Sequence, residues 1–304
     1  MRISILIFSI IVSVLVVGCG DNASPESSQS AETASPSIDA KNSFMEGLAY
    51  YNADPPNYSQ AAKYFKQAAE HGNQDAQLYL AALFESGLGV EQSWSEAVHW
   101  FKEAAIQGNL PAQYQLGLIY EKGEGVEKSR SQALYWLTLA AEQGHASAQN
   151  MLGWLYENGA DGQPNISEAL KWYQAAANQD NPYALNNLGW FYWEGKSGIT
   201  DKEKALNYFI QAAELGDKDA QLNLGLIYYQ GDGIPASIEK AQKWFMRSAE
   251  QGNAYAQYNC GWLMQKGEVE NASPYAARYY FELACKGGLE KACLELERQS
   301  STHF

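Results

Sequence analysis

An alanine returns every 36 residues, at Ala76, Ala112, Ala148, Ala184, Ala220, Ala256 and Ala292, and no copy gains or loses a residue. A fixed period of this size builds a chain from stacked units, each of which buries its apolar face only against its neighbours. The 304 residues therefore do not translate into a count of globular domains. Twenty-one Lys and Arg face 35 Asp and Glu, a formal charge of −14. That balance argues against a nucleic-acid partner, whose phosphates are neutralised by basic side chains. It equally disfavours electrostatic adhesion to anionic lipid.

Within each unit two helical patterns alternate. In the first helix Ala112, Leu116, Ile119 and Tyr120 fall at i, i+4, i+7 and i+8, and in the second Ala133, Trp136, Leu137, Ala140 and Ala141 make a similar stripe. The Leu116 position reads Leu80, Leu152, Leu188 and Leu224 in other units, and the Leu137 position reads Phe65, Phe101, Tyr173, Phe209, Phe245 and Phe281. These predict the core. Gly117, Gly153, Gly189, Gly225 and Gly261 recur inside the first helix, where glycine costs ~1 kcal/mol relative to alanine, so close helix packing is expected there. Further glycines, such as Gly87 and Gly89 or Gly123 and Gly125, mark the turn between the helices. No P-loop context surrounds these turns, so no phosphate cradle is expected.

The N-terminus reads differently. Met1 and Arg2 precede an apolar run from Ile3 to Val17, too short to span a bilayer and shaped as a secretory signal. Val16-Val17-Gly18-Cys19 resembles the lipobox of bacterial lipoproteins. The resemblance implies a signal peptide over 1–18 and lipidation of Cys19, with palmitate-type chains holding the protein to the membrane. Several acyl chains at ~0.8 kcal/mol per buried CH₂ anchor stably where one does not. Gly20, not Asp, after the cysteine implies the periplasmic face of the outer membrane. Residues 20–40 are Ser, Ala, Pro and acidic, so 19–40 is expected to be a disordered tether with a reach of roughly 25 Å.

The run LGLIYEKGEGV followed by ALYWLTLAAEQGHASAQ resembles the Sel-1-like repeat family, relatives of the tetratricopeptide repeats. The resemblance implies an all-α, right-handed α-solenoid of helix-turn-helix repeats over 41–304: seven units of about 36 residues plus a C-terminal capping helix starting near Glu290. The units run 41–73, 74–109, 110–145, 146–181, 182–217, 218–253 and 254–289. The first is two residues short between Met45 and Ala61 and carries Pro55-Pro56, and the turns near Gly159 and Gly195 depart from the pattern. Cysteine-rich members of the family staple adjacent repeats with the spacing seen here between Cys285 and Cys293, which implies a disulfide. Both are read as replacements of small residues. Cys260 stands at the Leu116 position and is expected to be core.

The family's concave face is lined by first helices. On that face positions 114, 118, 121 and 122 form a second stripe beside the core stripe. It holds Tyr114, Asn150, Trp154, Glu157, Asn186, Trp190, Trp193, Tyr229, Tyr258 and Trp262, and it drifts from acidic to aromatic along the chain. Trp193 is expected to be exposed because its counterparts are Glu and Gln. Aromatic side chains with polar tips are favoured binding anchors. The four histidines have no metal-ligand spacing, and Ser237 to Lys240 gives an S-x-x-K without its companion motifs. No catalytic residue, metal or cofactor is expected. The resulting reading is a non-enzymatic envelope adaptor binding a protein or peptide in its groove. The competing reading is an envelope protein that binds or hydrolyses cell-wall material, murein or a β-lactam, stacking sugars on Trp190 and Trp193 and drawing acid–base chemistry from Glu121 or Glu157.

Overall fold

The computed structural model describes residues 38–159, 162–196, 198, 200–269 and 273–301, and among these it contains fifteen α-helices and no strand. The helices come in pairs. These are α1 (Ile38–Tyr51) with α2 (Tyr58–Glu70), α3 (Gln74–Ser86) with α4 (Trp94–Ile106), and α5 (Leu110–Lys122) with α6 (Arg130–Glu142). Then follow α7 (Ala146–Glu157) with α8 (Ile166–Ala177), and α9 (Pro182–Trp193) with α10 (Lys202–Glu214). The last pairs are α11 (Lys218–Gln230) with α12 (Ile238–Glu250) and α13 (Ala254–Gln265) with α14 (Pro274–Lys286), and α15 (Glu290–Ser301) closes the array. Each helix packs mainly against the one before and the one after, the contact pattern of an α-solenoid. Helix α1 starts at Ile38 and buries Ala40, so the solenoid reaches three residues into the segment expected to be tether. Cys19 and the signal segment lie outside the described residues.

Side-chain capping starts the helices. Asn73, Asn109, Asn181, Asp217 and Asn253 each accept the backbone N–H three residues on, opening α3, α5, α9, α11 and α13. His145 does the same for α7 through Nδ1, at 3.1 Å from Ala148 N. Second helices open on Asn57, Ser93, Ser129, Asn165, Asp201, Ser237 and Ser273. Gly87, Gly123 and Gly231 stop first helices at φ +70°, +78° and +72°, a left-handed geometry that glycine adopts without strain.

The core is the alanine and Leu116/Leu137 stripes expected: Leu116, Leu137, Leu152, Leu188, Phe209 and Phe281 are completely buried. The interior glycines exist because of it. A Cβ on Gly117 would sit 2.4 Å from Leu137 Cγ, on Gly189 2.5 Å from Phe209 Cε1, and on Gly225 2.4 Å from Phe245 Cδ1 and Cε1. In the short first unit Gly47 takes this place, 2.5 Å from Phe65 Cδ1. The two-residue deletion therefore falls in the turn after α1, and the first pair packs like the others.

A buried polar ladder joins the units. Gln77, Gln113, Gln149, Gln221 and Gln257 donate from Nε2 to the carbonyls of Ala69, Ala105, Ala141, Ala213 and Ala249, at 3.0–3.2 Å. Those carbonyls belong to the last turn of the preceding second helix, where each also accepts the N–H of the glycine three residues on. Gln107, Gln143, Gln179 and Gln251 then donate to the Oε1 atoms of Gln77, Gln113, Gln149 and Gln221. In the fifth unit both partners of this pair change together, to Leu185 and Leu215.

At the final joint the ladder becomes covalent. Cys285 and Cys293 are disulfide-bonded with Cα atoms 4.8 Å apart. Cys285 replaces the alanine of the acceptor carbonyl, but Cys293 stands in the glutamine position, one step on from Gln257. The expectation that both cysteines replace small residues is thus corrected: the disulfide occupies the place of a glutamine clamp. Cys260 is core, with its thiol pushed up to about 12 by burial and then by the charge of Glu250.

The first-helix face

Successive first helices lie side by side. Asn187 Nδ2 donates to Asn150 Oδ1 at 2.9 Å, bridging α9 to α7, and Asn223 Nδ2 donates to Asn186 Oδ1 at 3.0 Å, bridging α11 to α9. Second helices make their own layer, as Tyr208 Oη donating to Gln174 Oε1 across α10 and α8 shows. A surface of first helices is thus continuous from unit to unit.

The ten residues expected on that surface do not share one environment. Trp154 and Trp190 project most, with 39% and 37% of their area exposed. Asn150 and Asn186 are half-buried between helices, tied by the amide bridges just described. Tyr114 stacks on His145 at a centroid distance of 4.9 Å. Tyr229 meets Trp262 edge-on at 5.4 Å, and Lys266 Nζ lies 5.3 Å from the Trp262 ring. Tyr258 packs against Phe281, with Lys291 Nζ 4.0 Å from its ring.

Trp193 and Glu157 turn away from the open surface. Trp193 is half-buried against Phe209 and covered by Lys202, whose Nζ is 4.9 Å from the ring, so the expected exposure is corrected. Glu157 accepts from Tyr173 Oη at 2.6 Å and is ion-paired with Lys196. Burial first, then the bond to Glu157, raises the Tyr173 hydroxyl far above its ordinary range. Position 121 faces the inter-helix turn and its basic groups: Glu121 is paired with Lys128 at 3.0 Å and lies 3.9 Å from Arg130. Carboxylates held this way are structural counterions; Glu85 is pushed upward by burial and then by the nearby Glu124.

Sequence reasoning missed part of the stripe. Tyr183 and Tyr255, seven residues before Trp190 and Trp262, are 53% and 56% exposed. With Trp154 and Trp190 they show that the open line runs through positions 111 and 118, while Asn186 and Asn187 between them are half-buried. The i, i+7 spacing was the available signal. Among the described residues no group of three or more His, Cys, Asp or Glu is arranged to hold a metal, and no helix is long and apolar enough to cross a membrane.

The model of the Sel1 repeat matches seven consecutive stretches, 44–73, 74–109, 110–145, 146–181, 182–217, 218–253 and 254–289. The sequence matches no curated protein. Among solved structures, a Sel1 repeat protein from Oxalobacter formigenes is similar at 35% identity and a TM-score of 0.71, over 80% of this chain and 96% of that one. The protein c5321, a protective antigen of uropathogenic Escherichia coli strains, is similar at 32% identity and the same TM-score. That similarity covers 84% of this chain and 56% of the antigen. Yeast Tom70, at 14% identity and a TM-score of 0.50 over 90% of this chain and 66% of its own, shares the fold alone.

Proposed function

The chain belongs to the Sel1 repeat family, whose solenoids are generally protein-interaction scaffolds, and on that premise we propose that it is a non-enzymatic adaptor lipoprotein binding a protein segment along its first-helix face. The observation that carries the reading is the central open strip, where Trp154 and Trp190 stand exposed on adjacent first helices beside the Asn150–Asn187 bridge. Rigid aromatic groups with few torsions anchor partners at low entropic cost. The site belongs on the family's concave side, and the lipobox-like Cys19 followed by Gly20 supports a lipid-anchored position at the periplasmic face of the outer membrane. The pairing of Glu121 and Glu157 with Lys128 and Lys196 favours this reading over acid–base chemistry on a bound glycan.

Photo-crosslinking tests it. A crosslinker placed at Asn187 in the full-length protein is expected to capture a discrete envelope partner, and one at Tyr275 on α14 is not. Loss of that adduct in Trp154→Ala/Trp190→Ala is the expected result. An unchanged adduct in the double variant sinks the aromatic strip, and turnover of murein fragments by the purified protein sinks the non-enzymatic reading. Radiolabelled palmitate that fails to incorporate, or that still incorporates into Cys19→Ser, sinks lipidation at Cys19.

A further inference from the structure

The four tryptophans expected on the first-helix face divide into two kinds. Trp193 and Trp262 each carry a lysine of the protein itself over the ring, Lys202 at 4.9 Å and Lys266 at 5.3 Å. Tyr258 is likewise covered by Lys291. Trp154 and Trp190, the two most exposed of the four, carry no such cation among the described contacts, although Trp190 also meets Phe209 edge-on at a centroid distance of 5.3 Å. An indole face attracts an ammonium or guanidinium group through its quadrupole, and tryptophan does so best. The protein thus meets this preference with its own lysines at Trp193 and Trp262 and leaves it unmet at Trp154 and Trp190.

Two further observations bear on what covers these two rings. The chain carries 14 more acidic than basic groups, which repels an anionic partner and attracts a cationic one. Beside the rings, the bridges use one amide donor and one acceptor of each asparagine pair. Amide N–H groups of Asn150 and Asn186 and carbonyls of Asn187 and Asn223 are left for a ligand that presents both donors and acceptors. A peptide backbone does so at every residue.

We propose that Trp154 and Trp190 form a docking site for an extended, cationic protein segment, with one Lys or Arg side chain over each ring and the segment's backbone against the asparagines. The proposal rests on the groove reading above and names the chemistry of its partner. Neighbouring helices lie about 8–10 Å apart, and a segment in the extended polyproline II conformation advances about 3.1 Å per residue and returns to the same face every third residue. Two cations three residues apart therefore match two rings on adjacent units.

The experiment is fluorescence anisotropy of dye-labelled twelve-residue peptides against the full-length protein in detergent. One peptide carries a Lys-x-x-Lys pair, a second has both lysines changed to glutamine, and a third has both changed to glutamate. The lysine peptide is expected to bind about tenfold more tightly than the glutamine one, from two cation–π contacts, and the glutamate peptide most weakly. In Trp154→Ala/Trp190→Ala, checked for an unchanged melting temperature, the lysine advantage is expected to vanish. Equal binding of lysine and glutamine peptides to the unaltered protein overturns the cationic partner, whatever the variant does. If that equal binding still depends on the two tryptophans, the groove reading stands without it. A lysine advantage that persists in the double variant overturns both, as does binding of a murein oligosaccharide at these rings in place of every peptide.

Discussion

Among the caps of α3, α5, α7, α9, α11 and α13, His145 is the one that is neither Asn nor Asp, and that difference makes a local stability term depend on pH. Its Nδ1 accepts the Ala148 N–H, so the ring must be neutral there, and burial lowers its pKa from 6.5. A depressed folded value means that protons bind the unfolded chain better. The cap's contribution, about 1 kcal/mol, is full above pH ~6.5 and is lost as pH falls through the lowered folded value. His145→Asn, which installs the cap of neighbouring units, is expected to flatten the melting temperature between pH 7 and 5; an unchanged slope refutes the assignment. Asp180 is a second single-residue exception. It sits at φ +56° where Gly72, Gly108, Gly144, Gly216, Gly252 and Gly288 stand in other units. Since left-handed backbone costs a non-glycine residue roughly 1 kcal/mol, Asp180→Gly is expected to raise stability by up to about that amount in urea unfolding.

Between two helices of a unit, the decisive contact is glycine against the ring or leucine twenty residues on. Gly225→Ala removes ~1 kcal/mol of helix penalty but drives a methyl into Phe245, which is 2% exposed and has no space to retreat. Overpacking costs ~1–3 kcal/mol, so a net loss of about 1 kcal/mol is expected by chemical denaturation. Ala81 marks the limit of the rule, because the second unit carries a methyl opposite Phe101. The glutamine ladder works at the same scale between units. Each bond contributes only ~1 kcal/mol, but removing one partner strands a buried acceptor at greater cost. Leu185 and Leu215 replace the pair jointly, whereas Gln257 keeps its bond to the Ala249 carbonyl with Gly287 in the partner position.

Across the whole array, stability is a sum over units and joints, so the ends with one neighbour open first. The Cys285–Cys293 disulfide holds the last joint. Closing a loop of eight residues is worth about 2–3 kcal/mol against the opened chain. On reduction, amide hydrogen exchange is expected to quicken in α15 and the end of α14 and stay unchanged in α5 to α10. Uniform acceleration would mean that the solenoid unfolds as a single unit and that the joint is not local.

The 36-residue period, with the helical spacing within it, determined that the units stack, the identity of the core positions and the place of the regular turns, because a unit that stacks on copies of itself must bury the same positions every time. It determined the cysteine pair only through family likeness, and it left unread the glutamines at 77, 113 and 149, since a recurring polar residue beside a core alanine looks like surface until its acceptor is known. Which way a half-apolar position points was beyond it. Position 121 carries Glu157 and Trp193, and only the packed turn, with Lys196 and Lys202 beside it, shows that both are held against the second helix. Tertiary contact also decided that Trp154 and Trp190 stay open while Trp193 and Trp262 are covered: exposure depends on what the next unit and the turn supply, and a single repeat does not contain that information.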